Sequence, residues 1–400
     1  MKISALVFFS FLTLLFSSCG ENAIQEEMVE QKVIDFGKVV ETDSLISPRE
    51  LFSDAAYILL KTPDSLKITI ASKIREIGDK LFILDQKREV VFAFDKAGNF
   101  QGIVGSQGEG PGEFSEVSDF DVYDNQVYIY SRGDFSVYIF DSSTLEFIRT
   151  IKFTDWGSQI SVLASGNLAL YSYLIEGEDN YNINIYGAEG ELVDKRMAYN
   201  KNGSYEAMNY TGFINGNYYT YPLSSIIYKI GEGTEEDSVK YEINFPDRFP
   251  ESSTSNYMAF KESERNKNNE NILTKFELGG KDEFICYYHF REGSSNGFTF
   301  GVRLASGETF GHLNLKHAAK GKADIYVRMF FKGPYNSPFY SKQSKSFLIA
   351  SNVESIGQAS DEIMGYMESG SVYDEELLNL LSQTDLEETI VMKFKLKDSL

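Results

Sequence analysis

Short apolar runs, broken every few residues by polar turns, fill most of this chain. Many alternate apolar and polar residues at a period of two, which belongs to strands and not to helices. Leu81-Phe82-Ile83-Leu84-Asp85, a polar turn, and Val91-Phe92-Ala93-Phe94-Asp95 read as two adjacent strands. Forty-six residues later stand Val127-Tyr128-Ile129-Tyr130-Ser131 and Val137-Tyr138-Ile139-Phe140-Asp141, with no gap in the match. A further strand follows each pair, at Phe100 to Val104 and Phe147 to Phe153. An apolar start precedes each, at Ile74 to Ile77 and Phe120 to Tyr123. Four short strands repeating every 40–50 residues or so is the pattern of a propeller blade.

Later units are looser. Leu168 to Tyr171 and Ile183 to Tyr186 mark a third. Asn217 to Tyr221, Ser225 to Ile230 and Val239 to Phe245 mark a fourth, with a turn at Asn215-Gly216. Glu283 to Phe290, Phe298 to Leu304 and Thr309 to Leu313 mark a fifth. Ile325 to Phe331, Phe347 to Ile349 and a closing strand mark a sixth. Two segments read as short helices. Ser47-Pro48-Arg49-Glu50 has a capping Ser and a Pro at the first helical position. Asp374 to Leu381 sets Leu377, Leu378 and Leu381 on one face behind an acidic first turn. The polar run Lys261 to Asn271 reads as an exposed loop insertion.

The ends of the repeat region suggest how it closes. Ala56 to Lys61 reads as a strand with no unit of its own, and Thr389 to Lys397 alternates after the last helix. Both are predicted to share one blade and latch the ring. The predicted fold is therefore all-β, a propeller of four-stranded antiparallel sheets in a single domain over 33–400. Counting residues leaves six and seven blades open.

Composition narrows the function. Aromatics reach 14%, with 31 Phe and 25 Tyr, and suit pleated, half-buried surfaces. The net charge of −21 argues against nucleic acid, whose phosphates need a basic face. The first twenty residues carry an address. Lys2 is the only charge before Glu21, and Ala5 to Phe16 is an apolar run of signal-peptide size. Phe16-Ser17-Ser18-Cys19-Gly20 resembles a bacterial lipobox, so residues 1–18 are expected to be removed and Cys19 acylated. Residues 19–32, with Glu21, Glu26, Glu27 and Glu30, read as a flexible acidic tether. With Cys19 acylated, Cys286 has no partner, and its apolar surroundings read as a buried thiol.

Gly105-Ser106-Gln107-Gly108-Glu109-Gly110-Pro111-Gly112-Glu113-Phe114 resembles the inter-blade connection of NHL-type propellers. Gly105, Gly108, Gly110, Pro111 and Gly112 would shape the loop, and Phe114 would drop between blades. A phosphate cradle is the alternative, but the Gly-Lys-Ser/Thr ending is missing and Glu109 and Glu113 repel phosphate. Together with Tyr57 to Leu60, Phe82 to Asp85, Ile227 to Ile230, Tyr241 to Phe245 and Ile390 to Lys397, the chain resembles the six-bladed β-propeller lipoproteins of Gram-negative bacteria. That resemblance implies six blades and carries no catalytic residues across.

Chemistry is sparse by contrast. His289, His312 and His317 lack metal or catalytic spacing. Asp85, Asp95 and Asp141 end strands and read as turn caps. No catalytic residue, metal ligand or cofactor is expected. The expected role is an envelope-anchored binding or scaffold module, monomeric, with an envelope protein or a glycan as partner. It would sit at the outer membrane through its lipid, on the periplasmic or the surface face. The alternative is a hydrolase or lyase with its site in the central funnel. The lining of that funnel discriminates: two or more His with Asp or Glu favour metal chemistry, while an aromatic or neutral polar floor without perturbed acids favours binding.

Overall fold

In the computed structural model the described residues are 32–36, 48–172, 181–198, 213–250, 257–266, 268–292, 295–311, 330–331, 337–352, 375–384 and 387–400. The ungapped repeat folds as two successive four-stranded antiparallel sheets. Blade 1 is Ala71–Ile77, Lys80–Asp85, Val90–Asp95 and Phe100–Ile103. Blade 2 is Asp119–Tyr123, Gln126–Ser131, Ser136–Asp141 and Phe147–Lys152. Blade 3 runs Gln159–Val162, Leu168–Tyr171, Tyr181–Tyr186 and Leu192–Ala198. Blade 4 runs Phe213–Asn215, Tyr218–Thr220, Ile226–Lys229 and Ser238–Asn244. Blade 5 comprises Glu270–Leu278, Phe284–Glu292, Ser295–Arg303 and Thr309–Phe310.

Blade 6 is composite. Phe339–Ser341, Ser346–Asn352 and Thr389–Leu396 come from the C-terminal part, and Phe52–Leu60 completes the outer edge. Tyr57 pairs with Met392 and Leu60 with Thr389, so the two segments predicted to latch the ring lie in one blade. The first strands of consecutive blades touch in order, and the first strand of blade 6 touches that of blade 1. Six blades thus form a closed ring with those strands innermost.

Each gap between neighbouring blades is filled by its own apolar cluster. Phe82, Leu84 and Val91 of blade 1 meet Phe120, Val127 and Ile129 of blade 2. Tyr287 and Phe300 of blade 5 meet Phe347, Met392 and Phe394 of blade 6. The core is therefore spread around the ring, which explains how a chain rich in Phe and Tyr buries them without one large centre.

Asp85 caps the turn after its strand by accepting from Lys87 N–H at 3.0 Å and Arg88 N–H at 3.2 Å, and it also accepts from Thr69 N–H at 2.6 Å. Asp95 accepts from the N–H groups of Ala97 and Asn99, and Asp141 from those of Ser143 and Thr144, each bond at 2.8–2.9 Å. The Ser143 hydroxyl, which donates to Asp141 at 2.6 Å, and the two backbone N–H groups of that turn hold the Asp141 carboxyl down at about 2. Cys286 is fully buried, and burial pushes its thiol well up.

Three features depart from the sequence pattern. The run expected as a loop insertion, Lys261 to Asn271, instead contributes to the helix Tyr257–Asn266 and then opens the inner strand of blade 5 at Glu270. Ser263 donates to Glu270 at 2.5 Å, and Arg291 closes on Glu270 at 2.8 Å, so polar residues there are internal partners. The inner strand of blade 6 is Phe339–Ser341, not Ile325 to Phe331; Phe330 and Phe331 are buried packing residues, and 325–329 lie outside the described residues. Finally, Lys32–Asp35 is a fifth, parallel strand on the outer edge of blade 4. Phe36, next in line, stacks on Phe245 at 5.7 Å and packs against Phe284 and Tyr288 of blade 5.

Candidate functional site

The innermost strands place two layers of charge around the ring axis. Successive same-side positions on a strand are two residues apart, so Lys73 and Arg75 of blade 1 face the same way. So do Asp119 and Asp121 of blade 2, and Lys275 and Glu277 of blade 5. Lys73 Nζ bonds both oxygens of Asp119, at 2.9 and 3.0 Å. Arg75 Nε bonds Asp121 Oδ1 at 2.7 Å, and its guanidinium lies 4.6 Å over the Phe339 ring of blade 6. Blades 2 and 5 are opposite in a ring of six. Lys275 nonetheless feels Asp119, and Glu277 feels Asp121. These charges therefore act on one another across the axis.

The acids also hold the blades together. Asp119 accepts from Ile160 N–H and Asp121 from Val162 N–H, both at 2.9 Å, joining blade 2 to blade 3. Glu277 Oε1 accepts from Tyr340 N–H at 2.8 Å, joining blade 5 to blade 6. Its Oε2 accepts from Asn215 Nδ2 at 2.6 Å, joining blade 4 to blade 5. Burial would raise the Asp121 carboxyl, yet the Arg75 and Lys73 charges hold it below the usual range. For Glu277 burial wins over its hydrogen bonds and the Arg75 charge, and its carboxyl is pushed up to about 7. Lys275 moves the other way. Burial, with Lys73 and Arg75 as like charges, pulls it down to about 8, against the opposing pull of Asp119.

None of these residues was a candidate from the sequence. A signal for four of them was present, because Lys73 and Asp119, like Arg75 and Asp121, are 46 residues apart, the period of the repeat. Lys275 and Glu277 carry no such mark.

The residues singled out in the sequence lie elsewhere. Gly105 to Phe114 connects blades 1 and 2. Ser106–Gln107 pairs with Glu113–Phe114, and Glu113 accepts from Gly110 N–H at 2.8 Å. Phe114 is 3% exposed, among residues of both blades, and meets Tyr138 edge-on at 5.5 Å. Gly105 has φ +69°, and a Cβ there would lie 2.5 Å from the Phe114 ring. Gly108, Gly110, Pro111 and Gly112 complete the loop, with Gly112 against Phe147. Cys19, His312 and His317 fall outside the described residues; His289 meets Phe298 edge-on at 5.5 Å. Among the described residues no three His, Cys, Asp or Glu side chains are grouped to hold a metal ion. A cleft of about 360 Å³ between blades 3 and 4 is lined by turn residues including Asn167, Asn217, Glu232 and Thr234. No described helix is long and apolar enough to cross a membrane.

Two solved structures share the ring. One is a protein from Bacteroides fragilis named provisionally as exported, 18% identical, with TM-score 0.68, covering 92% of this chain and 100% of its own. The other is a member of the DUF4221 family from Bacteroides vulgatus, 10% identical, with TM-score 0.51, covering 87% and 98%. At these identities the likeness is one of fold. No curated protein matches the chain. The family described as "Domain of unknown function (DUF4934)" matches residues 31–398, nearly the whole ring-forming chain, and the protein belongs to that family.

Proposed function

We propose that the protein is an exported lipoprotein, acylated at Cys19, whose propeller binds an envelope protein or glycan. The observation that carries the binding reading is the commitment of the axial acids. Asp119, Asp121 and Glu277 all accept hydrogen bonds from the next blade, so their charge is spent on ring geometry. What remains toward the axis is a charged, fixed surface suited to recognition. Among the described residues the lining is neither a His cluster nor a neutral aromatic floor. The apolar leader and the lipobox-like Phe16 to Cys19 support export and anchoring at the outer membrane. A fold shared with a protein named as exported agrees with that address. The Gly105 to Phe114 loop acts, on this reading, as an NHL-like structural connection and not as a ligand cradle.

The competing reading is a hydrolase or lyase. Glu277 and Lys275, both shifted toward neutrality, favour it. The engagement of both Glu277 oxygens weighs against a free general acid or base. Fractionation tests the address: the wild-type chain is expected in salt-washed membranes and Cys19→Ala in the soluble fraction. Cys19→Ala remaining with the membranes would overturn the anchor. A panel of envelope glycans and peptides screened against the full chain tests the role. Saturable binding without turnover is expected, and turnover of any panel member would replace the binding reading with the enzymatic one.

A further inference from the structure

The first axial layer carries an unbalanced charge. It holds Lys73, Asp119 and Lys275. Asp119 is matched by Lys73 through two hydrogen bonds, and its second oxygen is also taken by Ile160 N–H. Arg75, the other cation that acts on Lys275, is matched by Asp121 and donates to Ile74 O at 2.9 Å. Lys275 has no hydrogen bond or ion pair among the described residues, although it feels Lys73, Arg75 and Asp119. It is half-buried on the innermost strand of blade 5, so water reaches it. A desolvated ammonium facing two other cations gains most from one further anion.

We propose that the channel binds a small oxyanion, a carboxylate or phosphate group of an incoming ligand, with Lys275 as its principal contact and Lys73 as the supporting charge. This rests on the reading of the channel as a recognition surface and names the ligand group that it takes. An ammonium suits this task because it offers three donors as a compact point charge to an oxyanion.

The test uses the full chain in detergent, with inorganic phosphate and acetate as probes at ionic strength held constant with chloride. Binding to the native state raises the melting temperature with anion concentration. A rise of a few degrees is expected for wild type, its loss in Lys275→Met and its retention in Lys275→Arg. A response to phosphate alone points to a phosphorylated ligand, and a response to acetate alone to a carboxylate; either supports the site. The same rise in Lys275→Met, or none in wild type with either anion, overturns it. Reductive methylation followed by mass spectrometry gives a readout that needs no variant. At pH 8 Lys275 is expected to react several-fold more slowly when the effective anion is present, while the exposed Lys281 is unaffected. Equal rates with and without anion overturn the proposal. These readouts use purified protein and inorganic ions, so they fail or succeed independently of the panel of envelope partners.

Discussion

Glu277 shows how one side chain can serve the ring at a cost that depends on pH. Its ordinary value is 4.5 and burial raises it to about 7 in the fold, against the Tyr340 N–H, Arg75 and Asn215, with Asp121 adding to the rise. Between those values the native state holds a proton that the unfolded chain has lost. Stability from this group is therefore full below 4.5 and declines as pH rises toward 7. Lys275 acts in the opposite window. Its folded value is lowered from 10.5 to about 8, so its penalty is present below 8 and relieved as pH rises toward 10.5. Glu277→Gln keeps an acceptor for Tyr340 and removes the titration. Urea unfolding across pH 4.5–7 is expected to show a downward slope in wild type relative to the variant. Parallel profiles would refute the assignment. Neither pair was singled out from the sequence, although the 46-residue period aligns Lys73 with Asp119 and Arg75 with Asp121. Glu277 and Lys275 were illegible because blade 5 follows the helix Tyr257–Asn266, which breaks the period.

At the level of elements, the tight hairpins were legible and the odd strands were not. Blades 1 and 2 follow their sequence runs closely, because each strand pairs with its neighbour in the chain. Lys32–Asp35 pairs with Tyr241–Asn244, some two hundred residues away, and four residues carry too little pattern to announce such a partner. The connection Gly105 to Phe114 lies between these cases. Its glycines mark it in the sequence, and its single aromatic sits among Phe82, Val117 and Phe140. Phe114→Ala is expected to cost about 3–5 kcal/mol, as for other buried Phe truncations. Ile148, 45% exposed on the outer strand of blade 2, supplies the control, where truncation to Ala is expected to stay within about 0.5 kcal/mol. Equal unfolding midpoints for the two variants would contradict the wedge.

For the whole molecule the decisive element is the seam in blade 6. Thr389–Leu396 lies between Ser346–Asn352 and Phe52–Leu60, so it is an interior strand and not a cover. Ile390, Val391, Met392 and Phe394 are fully buried there. Losing several such side chains at about 2–5 kcal/mol each exceeds the roughly 5–15 kcal/mol that holds a domain together. Deleting 390–400 is expected to leave the ring unable to close, seen as aggregation or loss of the cooperative melt. A truncated chain that stays monomeric and melts as wild type does would show that the seam is dispensable. Closure was legible because both terminal strands stood outside the repeats they flanked. The number of blades was not, because insertions stretch the later units beyond the period of the first two.

The parallel strand on blade 4 also sets where the ring bears a load. A pull along the chain from residue 31 backward meets Lys32–Asp35 before it reaches Phe52–Leu60 at the seam. The ladder from Lys32 to Asp35, the bond from Phe36 N–H to Asn244 O at 2.8 Å and that from Thr309 Oγ1 to Asp35 O at 2.6 Å would be strained together, in shear, instead of opening one at a time. Phe36, held between the sheets of blades 4 and 5, acts as the stop behind them. Tension at the amino end is thus taken up two blades away from the seam, and Phe52–Leu60, the edge on which Thr389–Leu396 closes the ring, is mechanically sheltered.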